Sequence, residues 1–163
     1  MNNYDIKLPN YYNSHSLEMT YMEIPKCGCS SIKAHIKFKP RMQSGFNEAY
    51  YCVFTVLRDP VERFISGYME MVRQKRHHSC RNLTEFLDYI DKYGFYDRHI
   101  SPQSGYIEKH FDLHSHLIIY LFDDFKKRLT FHYNKTLDVK PVPTDEERTR
   151  IKEMYREDYK YFL

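Results

Sequence analysis

The chain has 163 residues, with 25 Lys and Arg against 22 Asp and Glu for a net charge of +3; 42% of its residues are hydrophobic and 29% charged. This length favours a single domain over residues 1–163, the composition excludes a disordered or fibrous chain, and so mild a surplus suits a small anionic ligand better than nucleic acid. The longest apolar run, Leu117–Phe122, falls far short of the roughly 20 residues that span a bilayer, and the N-terminus lacks a signal-peptide layout, so a soluble intracellular (cytoplasmic) protein without membrane contact is expected.

Residues 1–16, with Pro9, Asn10 and Asn13, read as an irregular or extended lead-in. Leu17–Ile24 is strand-like and stops at Pro25; Ser30–Phe38 follows as a short helix, and residues 40–47 as a loop. Tyr50–Leu57 is almost wholly apolar, the pattern of a strand buried on both faces of a parallel sheet. Pro60 marks the next helix start. Its apolar stripe is Val61, Phe64, Ile65, Tyr68 and Val72, with Arg63, Ser66 and Glu70 on the far side.

Leu83–Tyr93 is a second amphipathic helix behind Asn82 or Ser79, and residues 94–106, with two Gly and a Pro, read as loop. Leu117–Phe122 is a third buried-strand candidate, followed by a helix over Asp123–Tyr133. Thr144 with Glu147 forms a capping box, before a helix that sets Ile151, Met154, Tyr155, Tyr159 and Phe162 on one side. Strands alternating with helices predict an α/β protein with a mainly parallel sheet. The cysteines, Cys27, Cys29, Cys52 and Cys80, fit neither a metal set nor a disulfide framework and are expected to be reduced.

Two strand-to-helix junctions carry the chemistry. In Ile24-Pro25-Lys26-Cys27-Gly28-Cys29-Ser30-Ser31, unpaired helix-start amides coincide with the positive end of a helix dipole. Gly28 lets the backbone approach an anion, Lys26 adds a charge and Ser30 and Ser31 add hydroxyls, so phosphate or sulfate is the expected ligand. It is not a Walker loop, because Lys26 precedes the glycine. The second junction, Arg58 to Tyr68, places Arg58 at a strand end, where parallel α/β sheets bind their ligands.

Together these segments resemble the PAPS-dependent sulfotransferases (PAPS is 3′-phosphoadenosine 5′-phosphosulfate), nearest the carbohydrate, Golgi-type branch. Pro25-Lys26-Cys27-Gly28-Cys29-Ser30 is similar to the family's 5′-phosphosulfate loop. Arg58 to Tyr68 matches every fixed position of its 3′-phosphate element, R-[DE]-P-x-x-R-x-x-S-x-Y. Asp97 to Gln103 resembles the branch's D-x-H-x-x-P-Q segment, and Glu157 to Phe162 its closing helix.

The resemblance implies a P-loop-like three-layer α/β fold with helices flanking a mainly parallel central sheet. It implies that Lys26 stabilises charge on the departing phosphate and that Cys27, Gly28, Cys29, Ser30 and Ser31 hold the 5′-phosphate. Arg58 and Ser66 would grip the 3′-phosphate, and no metal is required. The acceptor hydroxyl needs a base: His99 is the first candidate, His35 the second and Glu23 a carboxylate fallback.

The cluster Arg73 to His78, with Arg81, offers a hold for an acidic glycan, or else is a solvated face. Two alternatives stand beside sulfuryl transfer. One is a P-loop-like nucleotide kinase or NTPase, with Leu117–Phe122 and Asp123-Asp124 as its Walker B strand; the other is a non-catalytic anion- or nucleic-acid-binding module. The sequence sets neither the acceptor's identity nor the oligomeric state.

Overall fold

A computed structural model describes residues 9–14, 17–36, 52–112, 116–128 and 139–162. The described residues fall into two compact units, one within Leu8–Arg58 and Tyr106–Thr136, the other within Asp59–Gly105 and Leu137–Leu163. The loop expected over 40–47 lies outside the described residues.

The first unit is built on a four-stranded sheet in the order β1 (Asn10–Ser14), β2 (Met19–Glu23), β3 (Cys52–Leu57), β4 (Ile118–Leu121). β2, β3 and β4 run parallel, with Thr20 beside Val53 and Thr55 beside Ile119; β1 pairs antiparallel with β2, setting Tyr12 against Tyr21. This is the mainly parallel α/β sheet that the alternating pattern predicts. The strand within the lead-in is a difference: Asn10–Ser14 lacks a run of strand formers, and its ladder with β2 makes it a strand.

β3 is buried from Val53 to Leu57 and lies at the centre of the parallel set, which is why its sequence is apolar on both faces. β4 is the sheet's edge strand among the described residues. Its Ile118 is exposed and the rest half-buried, so the expectation of a third fully buried strand fails there. Helix α1 (Cys29–Ile36) follows β2, and α5 (Phe122–Arg128) follows β4. Tyr21, Ile32, Phe54 and Val56 form the unit's core, flanked by Tyr120, Phe122 and Phe125.

The second unit is helical. α2 (Pro60–Arg73) starts with Pro60 in its first turn behind Asp59, whose carboxylate accepts from the Glu62 amide. α3 (Leu83–Tyr93) is capped by Asn82 and stops at Gly94, which has φ 81°. α6 (Asp145–Met154) carries the capping box of Thr144 and Glu147 in full. Its Arg150 bridges Asp88 and Asp91 of α3 at 2.8 and 2.6 Å. Val61, Phe64, Ile65, Tyr68 and Met71 of α2 pack with Phe86 and Leu87 of α3 and with Ile151 and Tyr155.

Four expectations shift here. Met71, not Val72, completes the buried stripe; Val72 is exposed. Arg63 lies on the far side from that stripe, yet it is fully buried. The helix at the end of the sequence breaks at Tyr155, so Tyr159 and Phe162 belong to a separate 3-10 turn, Asp158–Tyr161, and its flank. The segment read as loop over 94–106 also gives way at Gln103, where α4 (Gln103–Phe111) begins. Among the described residues no helix is long and apolar enough to cross a membrane.

Candidate functional site

The carboxyl ends of the three parallel strands meet in one corner of the first unit. After β2 the chain turns through Pro25 and Lys26 into α1. Lys26 and Gly28 both have positive φ, 68° and 80°, so two of three successive residues are left-handed. Only Gly28 takes that conformation without strain; at Lys26 it costs on the order of 1 kcal/mol. The amide between them, that of Cys27, donates to the Ile24 carbonyl at 3.4 Å. The Gly28 carbonyl accepts the first bond of α1, from the Ile32 amide at 3.0 Å. The amides of Cys29 and Ser30 come before that first bond and have no acceptor within the helix.

Arg58 follows β3. Its Nη1 donates to the Lys26 carbonyl at 3.3 Å, which ties the arginine corner to the lysine corner directly. Phe122 opens α5 directly after β4, and the Arg58 guanidinium lies 5.2 Å from the centre of its ring. The same ring backs the loop: a Cβ at Gly28 would come 2.7 Å from Phe122 Cε2. Gly28 is thus required twice over, by its φ and by the aromatic wall. The sequence gives no local sign of Phe122's role, since the residue reads as the last apolar position of a strand.

The remaining candidates of this unit are placed as follows. Cys27 is buried, and Cys29 donates its thiol to the Ile24 carbonyl at 2.9 Å. Burial, and after it the charge of Glu23, pushes the Cys29 thiol up, so it stays protonated. All four cysteines carry unbridged thiols. Ser30 is exposed and Ser31 half-buried. His35 is exposed in the last turn of α1, about 9 Å of helix rise from Cys29. Glu23 is buried and pairs with Lys33 at 2.8 Å while accepting from Asn10 and Tyr12. Its carboxylate is committed to holding β1, β2 and α1 together.

The second unit holds Ser66 and His99. Ser66 is half-buried on α2. His99 lies in a tight segment, Asp97 to Ser101, whose carbonyls are taken up one by one. The buried Arg63 donates through Nη1 to the Ser101 carbonyl at 2.7 Å and through Nη2 to that of Arg98 at 3.4 Å. The Tyr155 hydroxyl donates to the Ile100 carbonyl. One turn along α2 from Arg63, Gly67 lies so close that a Cβ there would be 2.5 Å from the His99 carbonyl oxygen.

Asp97, nearly without solvent access, accepts the His99 amide at 2.8 Å and faces the ring's Nδ1 at 2.6 Å, while its other oxygen takes an ion pair from Arg76. Burial pushes the Asp97 carboxyl up, but the hydrogen bonds from His99 and the charges of His99 and Arg76 outweigh it and hold it below the usual carboxylate range. Downstream, Asp158 caps α4 by accepting the Gln103 amide at 3.0 Å and the Ser104 amide at 2.8 Å. Arg63, Gly67 and Asp97 were not among the site residues expected from sequence. The Asp-x-His spacing, which suits a side chain bonding the backbone two residues on, was the one local sign of Asp97.

In the cluster after α2, Arg73 pairs with Glu70 and Arg76 with Asp97, while Lys75 is exposed. Asp123 and Asp124 are both exposed in the first turn of α5, with Asp124 paired to Lys127 at 2.8 Å. There their charges face the positive end of the α5 dipole. Among the described residues, no three His, Cys, Asp or Glu side chains gather as a metal set.

Compared with known proteins, the chain matches the family model described as "Sulfotransferase family" over residues 9–135, more than half its length. No curated protein and no solved structure matches it.

Proposed function

The chain belongs to the sulfotransferase family, and on that premise we propose that it moves a sulfuryl group from PAPS to the hydroxyl of a carbohydrate or small-molecule acceptor by in-line transfer. The observation that carries the donor reading is the junction of Lys26 and Arg58. Two cationic corners, from two neighbouring parallel strands, are bonded to each other beside a left-handed amide loop. A nucleotide with phosphate at both the 5′ and 3′ positions is the ligand chemistry that uses both corners, whereas ADP uses only one.

In this reading the amides of Cys27 to Ser31 and the hydroxyls of Ser30 and Ser31 bind the 5′-phosphate. Lys26 stabilises the negative charge that grows on the phosphate as the sulfuryl group leaves. Arg58 grips the 3′-phosphate through a fork that lysine does not reproduce, and Ser66 carries the same assignment from its motif. Fixed protein cations supply the stabilisation, so turnover is expected to persist in EDTA. His99 takes the acceptor's proton; His35 stands second. The acceptor is proposed to be an acidic glycan, held by exposed cations such as Arg73 and Lys75.

Calorimetry with the product nucleotide PAP (adenosine 3′,5′-bisphosphate) and with ADP, both free of metal, tests the donor site. PAP is expected to bind at least tenfold more tightly than ADP, and Arg58→Ala to erase that preference. Equal affinity for the two nucleotides in the wild type would reject the reading.

A further inference from the structure

Asp97 is a nearly inaccessible carboxylate with one oxygen on Arg76 and the other on His99. An ionised carboxylate only accepts hydrogen bonds. The depressed Asp97 carboxyl is ionised at neutral pH, so the His99 Nδ1 at 2.6 Å has to be the donor. A neutral ring with its proton on Nδ1 carries its lone pair on Nε2, whereas an unconstrained histidine side chain prefers the opposite tautomer. Among the described residues no hydrogen bond or ion pair engages His99 Nε2. The ring is only partly exposed, and its backbone is pinned on both sides, by Arg63 on the Arg98 and Ser101 carbonyls and by Tyr155 on that of Ile100.

We infer that Asp97, held by Arg76, is a positioning residue that locks His99 in the Nδ1–H form and so leaves Nε2 to accept the proton of the attacking hydroxyl. This rests on the reading of His99 as the base. In the step it serves, the hydroxyl proton passes to Nε2 as the acceptor oxygen bonds to sulfur. The bond from sulfur to the bridging oxygen of PAPS breaks, and its electron pair leaves on the phosphate of PAP. The imidazolium formed then donates from Nδ1 to a carboxylate already ionised and already in place, so no reorganisation is needed as the charge appears. Arg76 keeps Asp97 ionised and turned toward the ring. It thereby serves the base rather than the acceptor, whose hold is left to its exposed neighbours Arg73 and Lys75.

Two measurements separate this inference from the reading beneath it. The first is long-range proton–nitrogen NMR on the wild-type protein, with the His99 signals identified by their loss in His99→Gln. The neutral ring is expected to carry its proton on Nδ1; a ring protonated on Nε2 overturns the inference whatever the activity. The second is PAP release from PAPS with water as the acceptor. Asp97→Asn is expected to lower kcat about 100-fold with the KM for PAPS unchanged. Equal kcat in wild type and Asp97→Asn overturns the inference. An unchanged kcat in His99→Gln overturns the base assignment instead, and leaves the tautomer result standing.

Discussion

The loop from Ile24 to Ser31 and the segment from Asp97 to Ser101 are both short turns that carry a candidate catalytic side chain, and they are built on opposite plans. The first is shaped by its own backbone: two left-handed residues and a helix start present amides with no acceptor inside α1. The second is shaped by other elements, with side chains from α2 and from Tyr155 absorbing its carbonyls and Asp97 absorbing its amides. The first loop folds on itself, with the Cys27 amide and the Cys29 thiol both donating to the Ile24 carbonyl. The second loop has most of its carbonyls tied down from outside, those of Arg98, Ile100 and Ser101 by side chains of α2 and by Tyr155. Substitutions around the first should therefore register in ligand affinity, and those around the second in stability and positioning.

The largest effect is expected at Arg63. Arg63→Met leaves two inward carbonyls without donors, which should cost roughly 3 kcal/mol or more in urea unfolding; a loss below about 1 kcal/mol would mean the segment holds itself. Arg58→Ala should do the reverse. PAP affinity falls tenfold to a hundredfold, about 1.5–3 kcal/mol for a charge-assisted contact, while the melting temperature barely moves. Gly67→Ala comes next and is the sharper probe. In an exposed helix the change is favourable by about 1 kcal/mol, but against the His99 carbonyl oxygen no rotamer can relieve the clash. A net loss of about 1 kcal/mol or more by calorimetry is expected, and a gain would show that α2 does not press on the segment.

The smallest effect belongs to neither loop. Thr144→Ala should cost about 1 kcal/mol by removing the α6 cap. Burial raises Glu147, but hydrogen bonds from Thr144 and Thr84 outweigh it and hold its carboxyl below the usual value, as those of His99 do for Asp97. A depressed folded-state pKa contributes stability above the unfolded carboxylate value near 4, and that stability is lost as pH falls through the folded value. Unfolding free energy should therefore drop on acidification below about pH 5. The drop should be shallower in Thr144→Ala, as urea titrations at several pH values would show.

What the sequence reveals tracks how local each cause is. α3 is legible to the residue because Asn82 and Gly94 lie at its own ends, and α6 begins where its capping box says it should. α4 is illegible because Pro102 and Gly105 argue against it and its cap, Asp158, comes from 55 residues away. β1 is a strand by virtue of its partner, not its composition. Arg63 falls outside the apolar stripe because helix periodicity knows only one buried face, while α2 has a second covered by residues 98–101. The lysine loop and Arg58 are readable from glycine, lysine and strand-end placement alone. That they bond to each other, with Phe122 against both, depends on strand order and stays out of reach until β2, β3 and β4 are known to be neighbours.

The reliance of residues 97–103 on Tyr155 and Asp158 bears on how the protein is made. Ile100 and Gln103 both wait for groups 55 positions downstream, so on the ribosome this stretch stays unorganised long after the sheet's first three strands have been synthesised. A formed loop after β2 and a settled His99 need not arise together: a nascent chain or a stalled folding intermediate can hold one without the other, and the sheet-edge loop is the part that can mature early.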